Sequence, residues 1–202
     1  MMPKISDEAK EERKEKILAS ALECFSTKGY YASTVDDIVK YSKLSKGSVY
    51  NYFKSKEEIF LSLLHQRNEG VLEELKQKLA EISSPLEKLR YWIKTDIPYN
   101  INKKKFMHVH IESWLYATDA PHVKEVLEEQ FNLSFRLTQD IVIQGQETGE
   151  ISQDIDPDAA SAMFWSLHDG IWLHASIGYD EEKIEKRIIE MEKVLLAYLT
   201  LE

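Results

Sequence analysis

The chain contains few of the residues that interrupt or cross-link a polypeptide: one cysteine, five prolines and seven glycines among 202 residues. A single cysteine excludes a disulfide framework and a cysteine-based zinc cluster, and it fits a reducing compartment. The scarcity of glycine and proline favours long helices over many short strands. No apolar run approaches the ~20 residues of a membrane span, and the charged N-terminus lacks the apolar core of a signal peptide, so we expect a cytoplasmic protein.

The charge of the chain is unevenly distributed. The net charge is −9, yet residues 28–56 hold six lysines and only two acids, Asp36 and Asp37. Charges further apart than roughly 10 Å are screened at physiological salt, so local charge decides the affinity for phosphate. The acidic average is therefore compatible with a basic face that binds nucleic acid.

Capping patterns divide the chain into about nine helices and leave no convincing strand. Thr34 followed by Asp37 resembles a capping box, and Ser55 with Glu58 forms an S-x-x-E box that opens a long helix. The apolar residues that carry that helix to about Ile82 are Ile59, Leu63, Val71, Leu75 and Leu79. The expected helices cover residues 7–28, 35–42, 45–52, 56–82, 85–100, 103–117, 123–146, 157–177 and 181 to near the C-terminus. The sequence predicts an all-α protein.

Two short helices around a tight turn at Lys43, braced by a longer first helix, describe a helix-turn-helix whose second member enters the DNA major groove. Ser45 and Lys46 stand at the N-terminus of this recognition helix, where free N–H groups favour a phosphate. Gly47 lets the backbone approach a base edge or a thymine methyl. Ser48 is a short hydrogen-bonding side chain suited to base edges.

Further residues around this helix suit DNA contact. Asn51, like Ser48, is expected to contact base edges, and the hydroxyl of Tyr50 can hydrogen-bond a phosphate. Lys56 begins the next helix and is expected to hold the DNA backbone from the flank. The Thr34 hydroxyl can cap its own helix and contact a phosphate as well. The alternative for the whole segment is a solvated lysine face on a packing helix.

The stretch "TVDDIVKYSKLSKGSVYNYFKSKEEIF", within a span from about Lys10 to Leu64, resembles the TetR-like family of bacterial transcriptional regulators. Lys43 stands where that family commonly has glycine, so a left-handed backbone there would cost roughly 1–2 kcal/mol. Tyr52 stands where histidine is frequent in the family, and Asn51 stands where an aromatic residue is common. These two differences affect which DNA sequence is recognised. The resemblance implies DNA contacts from Thr34, Ser45, Lys46, Gly47, Ser48, Tyr50, Asn51, Tyr52 and Lys56.

The resemblance also implies two domains. A helix-turn-helix DNA-binding domain would cover residues 1–55, and a larger helical domain for effector binding and dimerisation would cover residues 56–202, with helix 56–82 bridging them. Small residues such as Ala162 and Gly170 permit close helix approach, so the last two helices would form an intersubunit four-helix bundle. A homodimer would present two recognition helices, about 34 Å apart, to a palindromic operator in double-stranded DNA.

The middle and late helices are rich in aromatic residues and histidines. One interpretation is an apolar pocket for an aromatic or cationic small molecule, with histidines or acids as polar anchors. The other interpretation is ordinary core and dimer packing. The candidate pocket residues are Trp92, Tyr99, Phe106, His110, Trp114, Phe135, Trp165, His168 and Trp172.

Catalytic and metal chemistry have weak support in the sequence. His108 and Glu112 share a helical face, but His110 points elsewhere, so we expect no metal, and we expect no cofactor. Cys24 lies on an apolar helix face and is expected to be a core thiol. The sequence thus predicts a non-enzymatic repressor that a small molecule releases from its operator, with the fourth helix as the lever. The alternatives are a helical enzyme and a protein-interaction module with a vestigial helix-turn-helix.

Overall fold

The computed structural model describes residues 6–98, 101–178 and 180–201. Within these ranges the chain forms nine α-helices and no strand, which confirms the expected all-α class. The helices are α1 (Asp7–Lys28), α2 (Val35–Ser42), α3 (Lys46–Tyr52), α4 (Lys56–Ala80), α5 (Pro85–Asp96), α6 (Ile101–Asp119), α7 (Pro121–Thr148), α8 (Pro157–Ser176) and α9 (Glu181–Leu199).

The helix starts follow the predicted caps. The Thr34 hydroxyl accepts a hydrogen bond from the backbone N–H of Asp37, and the Asp37 carboxylate accepts one from the Thr34 N–H in return, so the capping box is complete. Ser55 caps α4 by accepting from the N–H of Glu58. The break expected over 118–121 shrinks to Ala120, because α6 continues to Asp119 and a proline opens α7. The expected end of α5 at residue 99 or 100 is wrong: the helix ends at Asp96, because Pro98 has no backbone N–H to continue the helical hydrogen bonds.

Two buried clusters divide the molecule, and α4 belongs to both. The first cluster joins α1 to α4 with Val109 of α6, and Ile59 and Leu63 are its contributions from the first half of α4. The second joins α5 to α9 with Leu75 and Leu79 from the second half. The change from one cluster to the other falls within α4, between Leu64 and Leu75, and the division of the chain at residues 55 and 56 stays a prediction.

Val71 and Cys24 differ in burial. The Val71 side chain is 45% exposed, since it lies on α4 between the two clusters. Cys24 is fully buried, with its Sγ 3.5 Å from the Ser33 hydroxyl, as expected of a core thiol. None of the helices in the described ranges is both long and apolar enough to cross a membrane.

Candidate nucleic-acid interface and candidate ligand cavity

The turn between α2 and α3 has the geometry that a helix-turn-helix requires. Lys43 ends α2 in the left-handed conformation, with φ 57° and ψ 22°, and its N–H donates to the Val39 carbonyl at 3.1 Å. Lys43 therefore adopts the left-handed backbone that is costly for a residue other than glycine. Ser45 then caps α3 by accepting from the N–H of Ser48. Val49 of α3 is fully buried and fixes the helix against the first cluster.

Burying Val49 turns the opposite face of α3 to solvent. Lys46, Gly47 and Asn51 are exposed, and Tyr50 is 37% exposed. A Cβ added at Gly47 would meet no atom within 4 Å, so the backbone there is open to an approaching surface. Thr34 and Ser45 are exposed as well, whereas Ser48 and Tyr52 are half-buried. The structure thus groups the predicted contacts on one accessible face, and their role on DNA stays a prediction.

Acidic residues of α2 pair with cations near this face. Lys46 Nζ lies 2.7 Å from Asp36 Oδ1, and Lys28 Nζ lies 2.8 Å from Asp37 Oδ1. The Lys28 ammonium, together with the hydrogen bonds from Thr34, holds the pKa of the Asp37 carboxyl well below its usual range. A DNA phosphate would therefore compete with Asp36 for Lys46.

Lys56 is placed differently from the sequence expectation. Its Nζ donates hydrogen bonds to the carbonyl oxygens of Tyr30 at 2.7 Å and Ser33 at 2.8 Å, and burial lowers its pKa. An ammonium has three donors, and the carbonyl of Tyr31 lies 3.4 Å from the same nitrogen. The side chain is thus directed at the α1–α2 loop, whereas the sequence predicted that it holds the DNA backbone.

A cavity of about 200 Å³ lies among α4, α5, α6, α7 and α8. Helical spacing brings its lining together, since residues four apart share a face. Phe106, His110 and Trp114 follow this spacing on α6. Seven of the nine predicted pocket residues line the cavity: Trp92, Phe106, His110, Trp114, Trp165, His168 and Trp172.

The rings around the cavity form a continuous chain of contacts. The His110 ring lies 5.1 Å from Trp114 and 6.2 Å from Trp172 between centroids. From Trp172 the chain continues to His168 at 4.9 Å, and from His168 to Trp165 at 4.8 Å. The cavity wall is therefore mainly aromatic.

Buried polar atoms without a protein partner are found in this wall. They are the indole Nε1 atoms of Trp92 and Trp172, His110 Nδ1 and Gln130 Nε2. Burial lowers the pKa of His110 to about 4, while the charge of Asp169 opposes the shift. A buried polar group without a partner costs free energy, and a ligand in the cavity could supply the missing hydrogen bonds.

Two predicted pocket residues do not join the lining. Tyr99 lies outside the described residues. Phe135 is not among the lining residues; its ring packs against Phe131, which does line the cavity, with 5.6 Å between the ring centroids.

Ten further residues of the cavity wall were not predicted from the sequence. The predicted pocket residues are aromatic residues and histidines, whereas the stripe on α4 is aliphatic and polar. The same four-residue spacing would have found most of them. They are Arg67, Asn68, Val71, Leu72, Leu75, Leu127, Gln130, Phe131, Ser134 and Asp169.

His108, His110 and Glu112, the residues that could have formed a metal site, have separate surroundings. His108 Nε2 lies 2.7 Å from the Ser176 carbonyl oxygen, and the Glu112 carboxylate accepts a hydrogen bond from the backbone N–H of Tyr30. His110 lines the cavity. In the part of the chain that the structure describes, no three histidine, cysteine or acidic residues are grouped to hold a metal ion.

Two family models match the chain. Residues 17–63 match the tetR family of bacterial regulatory proteins, and residues 85–199 match the C-terminal domain of BetI-type transcriptional repressors. Together they cover most residues of both buried clusters. The chain belongs to the TetR family of bacterial regulatory proteins, and it is a DNA-binding transcriptional regulator.

Individual relatives agree with this assignment along most of the chain. The chain is 29% identical over 192 residues to YfiR, an uncharacterised HTH-type transcriptional regulator of Bacillus subtilis, covering 92% of this chain and 90% of YfiR. The fold is similar to that of a Saccharomonospora viridis regulator in complex with choline, with TM-score 0.83, 18% identity and coverage of 92% and 96%. It is also similar to B. subtilis FadR in complex with stearoyl-CoA, with TM-score 0.68, 22% identity and coverage of 92% and 97%.

Proposed function

We propose that this protein is a homodimeric, non-enzymatic repressor that leaves a palindromic operator when a small organic cation binds the cavity. The observation that carries the proposal is the aromatic cavity with the Asp169 carboxylate in its wall, in a chain that also exposes a recognition helix. Its target being bacterial DNA, the protein acts in the cytoplasm. Weakening operator binding ~100-fold requires about 2.7 kcal/mol of coupling, within the usual range of allostery.

The exposed face of α3 supports direct contact with DNA. Tyr50→Phe removes a hydroxyl suited to a phosphate, so it should weaken binding to all sequences by a similar factor. Ser48→Ala and Asn51→Ala remove groups suited to base edges and should change the preference among operators. Unchanged affinity and preference in all three variants, measured by fluorescence anisotropy, would remove α3 as the recognition helix.

The proposed dimer interface lies on α8 and α9. Leu173 of α8 and Ile177, the residue that follows this helix, are exposed, the latter by 67%, and a Cβ at Gly170 would meet no atom within 4 Å. Val194 of α9 is 56% exposed. Apolar faces of this kind with small residues permit close packing against a second copy. Ile177→Glu should shift sedimentation toward the monomer, whereas Leu115→Glu, on the equally exposed α6 residue, should not.

The lining of the cavity favours a small organic cation as the effector. Aromatic rings on several sides attract a cation through their negative faces, and the Asp169 carboxylate in the wall adds a negative charge. The lining also contains the positively charged Arg67. Its charge is screened, because the residue is exposed to solvent. The regulators compared above bind choline and stearoyl-CoA respectively. A volume of about 200 Å³ suits a ligand of the size of the former better than a long acyl chain.

Titration of the purified protein with choline and with its uncharged analogue 3,3-dimethylbutan-1-ol tests this effector class. The two molecules have nearly the same shape and differ in charge. We expect choline to quench tryptophan fluorescence and to weaken operator binding, and the neutral analogue to bind at least ~10-fold more weakly, the factor that corresponds to about 1.4 kcal/mol. Asp169→Asn should reduce the difference. Equal binding of the two molecules, or binding of octanoate alone, would contradict a cation site.

A further inference from the structure

The loop that joins α1 to α2 is held from two sides by charged residues of other helices. The backbone N–H of Tyr30 donates to Glu112 Oε2 of α6 at 2.7 Å. The carbonyl oxygens of Tyr30 and Ser33 accept from Lys56 Nζ of α4. Hydrogen bonds to charged groups are stronger than neutral ones. This loop, residues 29–33, leads directly into the helix-turn-helix.

Gly29 lets the Glu112 carboxylate come this close. It adopts φ 80°, a region that other residues rarely occupy. A Cβ at this position would also lie 2.7 Å from Glu112 Oε1, closer than any ordinary contact. Both the conformation and the missing side chain are therefore needed for the contact between α6 and the loop.

One face of α6 lines the cavity, and another face packs against the DNA-binding domain. Phe106 and His110 line the cavity, whereas Val109 is fully buried in the first cluster. Tyr116, on the same face as Glu112, lies 4.8 Å from the Tyr30 ring between centroids. An α-helix moves nearly as a unit, so a displacement of His110 by a ligand also displaces Glu112.

We propose that Glu112 is the positioning residue through which occupancy of the cavity reaches the recognition helix. This inference rests on the proposed function and deepens its regulation. A shift of α6 by 0.5–1 Å would take the 2.7 Å bond between Glu112 and Tyr30 to the limit of good hydrogen-bond geometry. The loop then loses one of its two charged anchors, and α2 and α3 lose a fixed position relative to α6.

Glu112 is better suited to this role than the neighbouring ion pair between α6 and α1. Lys105 Nζ lies 2.8 Å from Glu23 Oε1, with side chains that are 38% and 48% exposed. Exposed ion pairs contribute little to stability and are screened by salt. Glu112 is half-buried and accepts from a backbone N–H that has no other acceptor among the hydrogen bonds found.

Hydrogen exchange of residues 29–33 in the full-length protein tests the first step, because it needs neither operator nor effector. We expect Glu112→Ala to accelerate exchange of this segment at least ~10-fold. Glu112→Gln, which retains an oxygen acceptor, should restore much of the protection. Asp119→Ala removes another α6 carboxylate without such a contact and should leave the exchange unchanged. Unchanged exchange in Glu112→Ala would overturn the inference.

A cavity-filling substitution tests the link to the cavity without an identified effector. Ser134→Phe, or Ser134→Leu if the larger side chain prevents folding, places apolar volume in the cavity from α7. In the otherwise unchanged protein we expect faster exchange of residues 29–33 and operator affinity lower by ~10-fold, about 1.4 kcal/mol. In the Glu112→Ala background the same substitution should change the exchange rate of residues 29–33 and the operator affinity by less than ~2-fold each.

The outcomes separate the inference from the proposed function. Equal effects of Ser134→Phe in both backgrounds, or no effect on exchange in the unchanged protein, would overturn the role of Glu112 while operator binding stands. A protein that binds no duplex at all would remove the proposed function, and the exchange measurements would still decide whether the cavity and the loop are linked through Glu112.

Discussion

The ammonium of Lys56 lies 4.3 Å from the centroid of the Tyr30 ring and donates to the Tyr30 carbonyl at 2.7 Å. This lysine stands in a motif that predicts contact with the DNA backbone. In the structure it fastens the α1–α2 loop to the start of α4. The same charge therefore stabilises the DNA-binding domain before any DNA is present.

Lys56→Ala should lower the free energy of unfolding by about 2 kcal/mol, because two backbone carbonyls lose a charged donor. Lys54→Ala is the matched control. Lys54 is exposed and bonds only the nearby Tyr50 carbonyl, so its loss should cost less than ~0.5 kcal/mol. Urea denaturation of both variants measures the difference, and equal losses would contradict the placement of Lys56.

Lys56→Ala should also weaken DNA binding without changing its salt dependence. A lysine that neutralises a phosphate adds about 0.9 to the slope of log affinity against log salt. Because Lys56 donates to carbonyls, its removal should leave that slope unchanged within error. If the slope became shallower by about one, the result would support the phosphate contact that the sequence predicted.

Lys43→Gly should raise the free energy of unfolding by about 0.5–1 kcal/mol. Glycine avoids the roughly 1–2 kcal/mol that φ 57° costs a lysine. Part of this stabilisation is lost, because glycine also raises the conformational entropy of the unfolded chain. Lys43→Ala removes the same charge but remains strained, so it should bring no gain. Thermal unfolding of the two variants distinguishes conformational strain from charge; equal stability would contradict the strain.

Gly145→Ala should destabilise the protein by about 1–3 kcal/mol through overpacking. The added Cβ would lie 2.5 Å from Cγ1 and 3.0 Å from Cβ of the buried Ile151. Gly70→Ala, in the exposed middle of α4, would meet no atom within 4 Å and should stabilise the helix by up to about 1 kcal/mol. Opposite signs of the two changes in chemical denaturation are the expected result.

The stability should depend on pH through His110. Burial lowers the pKa of this histidine from 6.5 to about 4 in the folded protein, so the unfolded chain binds the proton more readily. The contribution of His110 is complete above pH 6.5 and is lost as the pH falls from 6.5 towards 4. The loss should amount to roughly 1–3 kcal/mol.

Comparison of pH profiles checks this assignment. His110→Gln cannot take up the proton, so its free energy of unfolding should fall less steeply than that of the unchanged protein between pH 6.5 and 4.5. His65→Gln replaces an exposed histidine paired with Glu69 and should leave the slope unchanged. Parallel profiles for the unchanged protein and His110→Gln would contradict the buried, neutral histidine.

Local signals in the sequence were sufficient to predict most helix boundaries. The side chains of Thr34 and Ser55 cap their helices by bonds to residues three positions on, which can be recognised without any tertiary information. The ends of α6 and α7 were less predictable, since Pro121 starts a helix after a single linking residue.

The environment of individual side chains depends on distant partners and was predicted less well. Lys56 contacts carbonyls 23 to 26 positions earlier, and Glu112 contacts an N–H 82 positions away. Neither pairing leaves a signal in the local pattern. Aromatic content located the cavity, but the α4 stripe that closes it was missed because it contains aliphatic and polar residues such as Leu72 and Asn68.

Fluorescence anisotropy against the DNA upstream of the protein's own gene measures operator binding most directly. The titration is made at ~50 and ~200 mM salt with random duplex as competitor. Because phosphate contacts release counterions, we expect tight binding that survives the competitor and weakens by a factor of ~10³ or more at the higher salt. Failure to bind any duplex at low salt, by a folded and dimeric protein, would contradict the account.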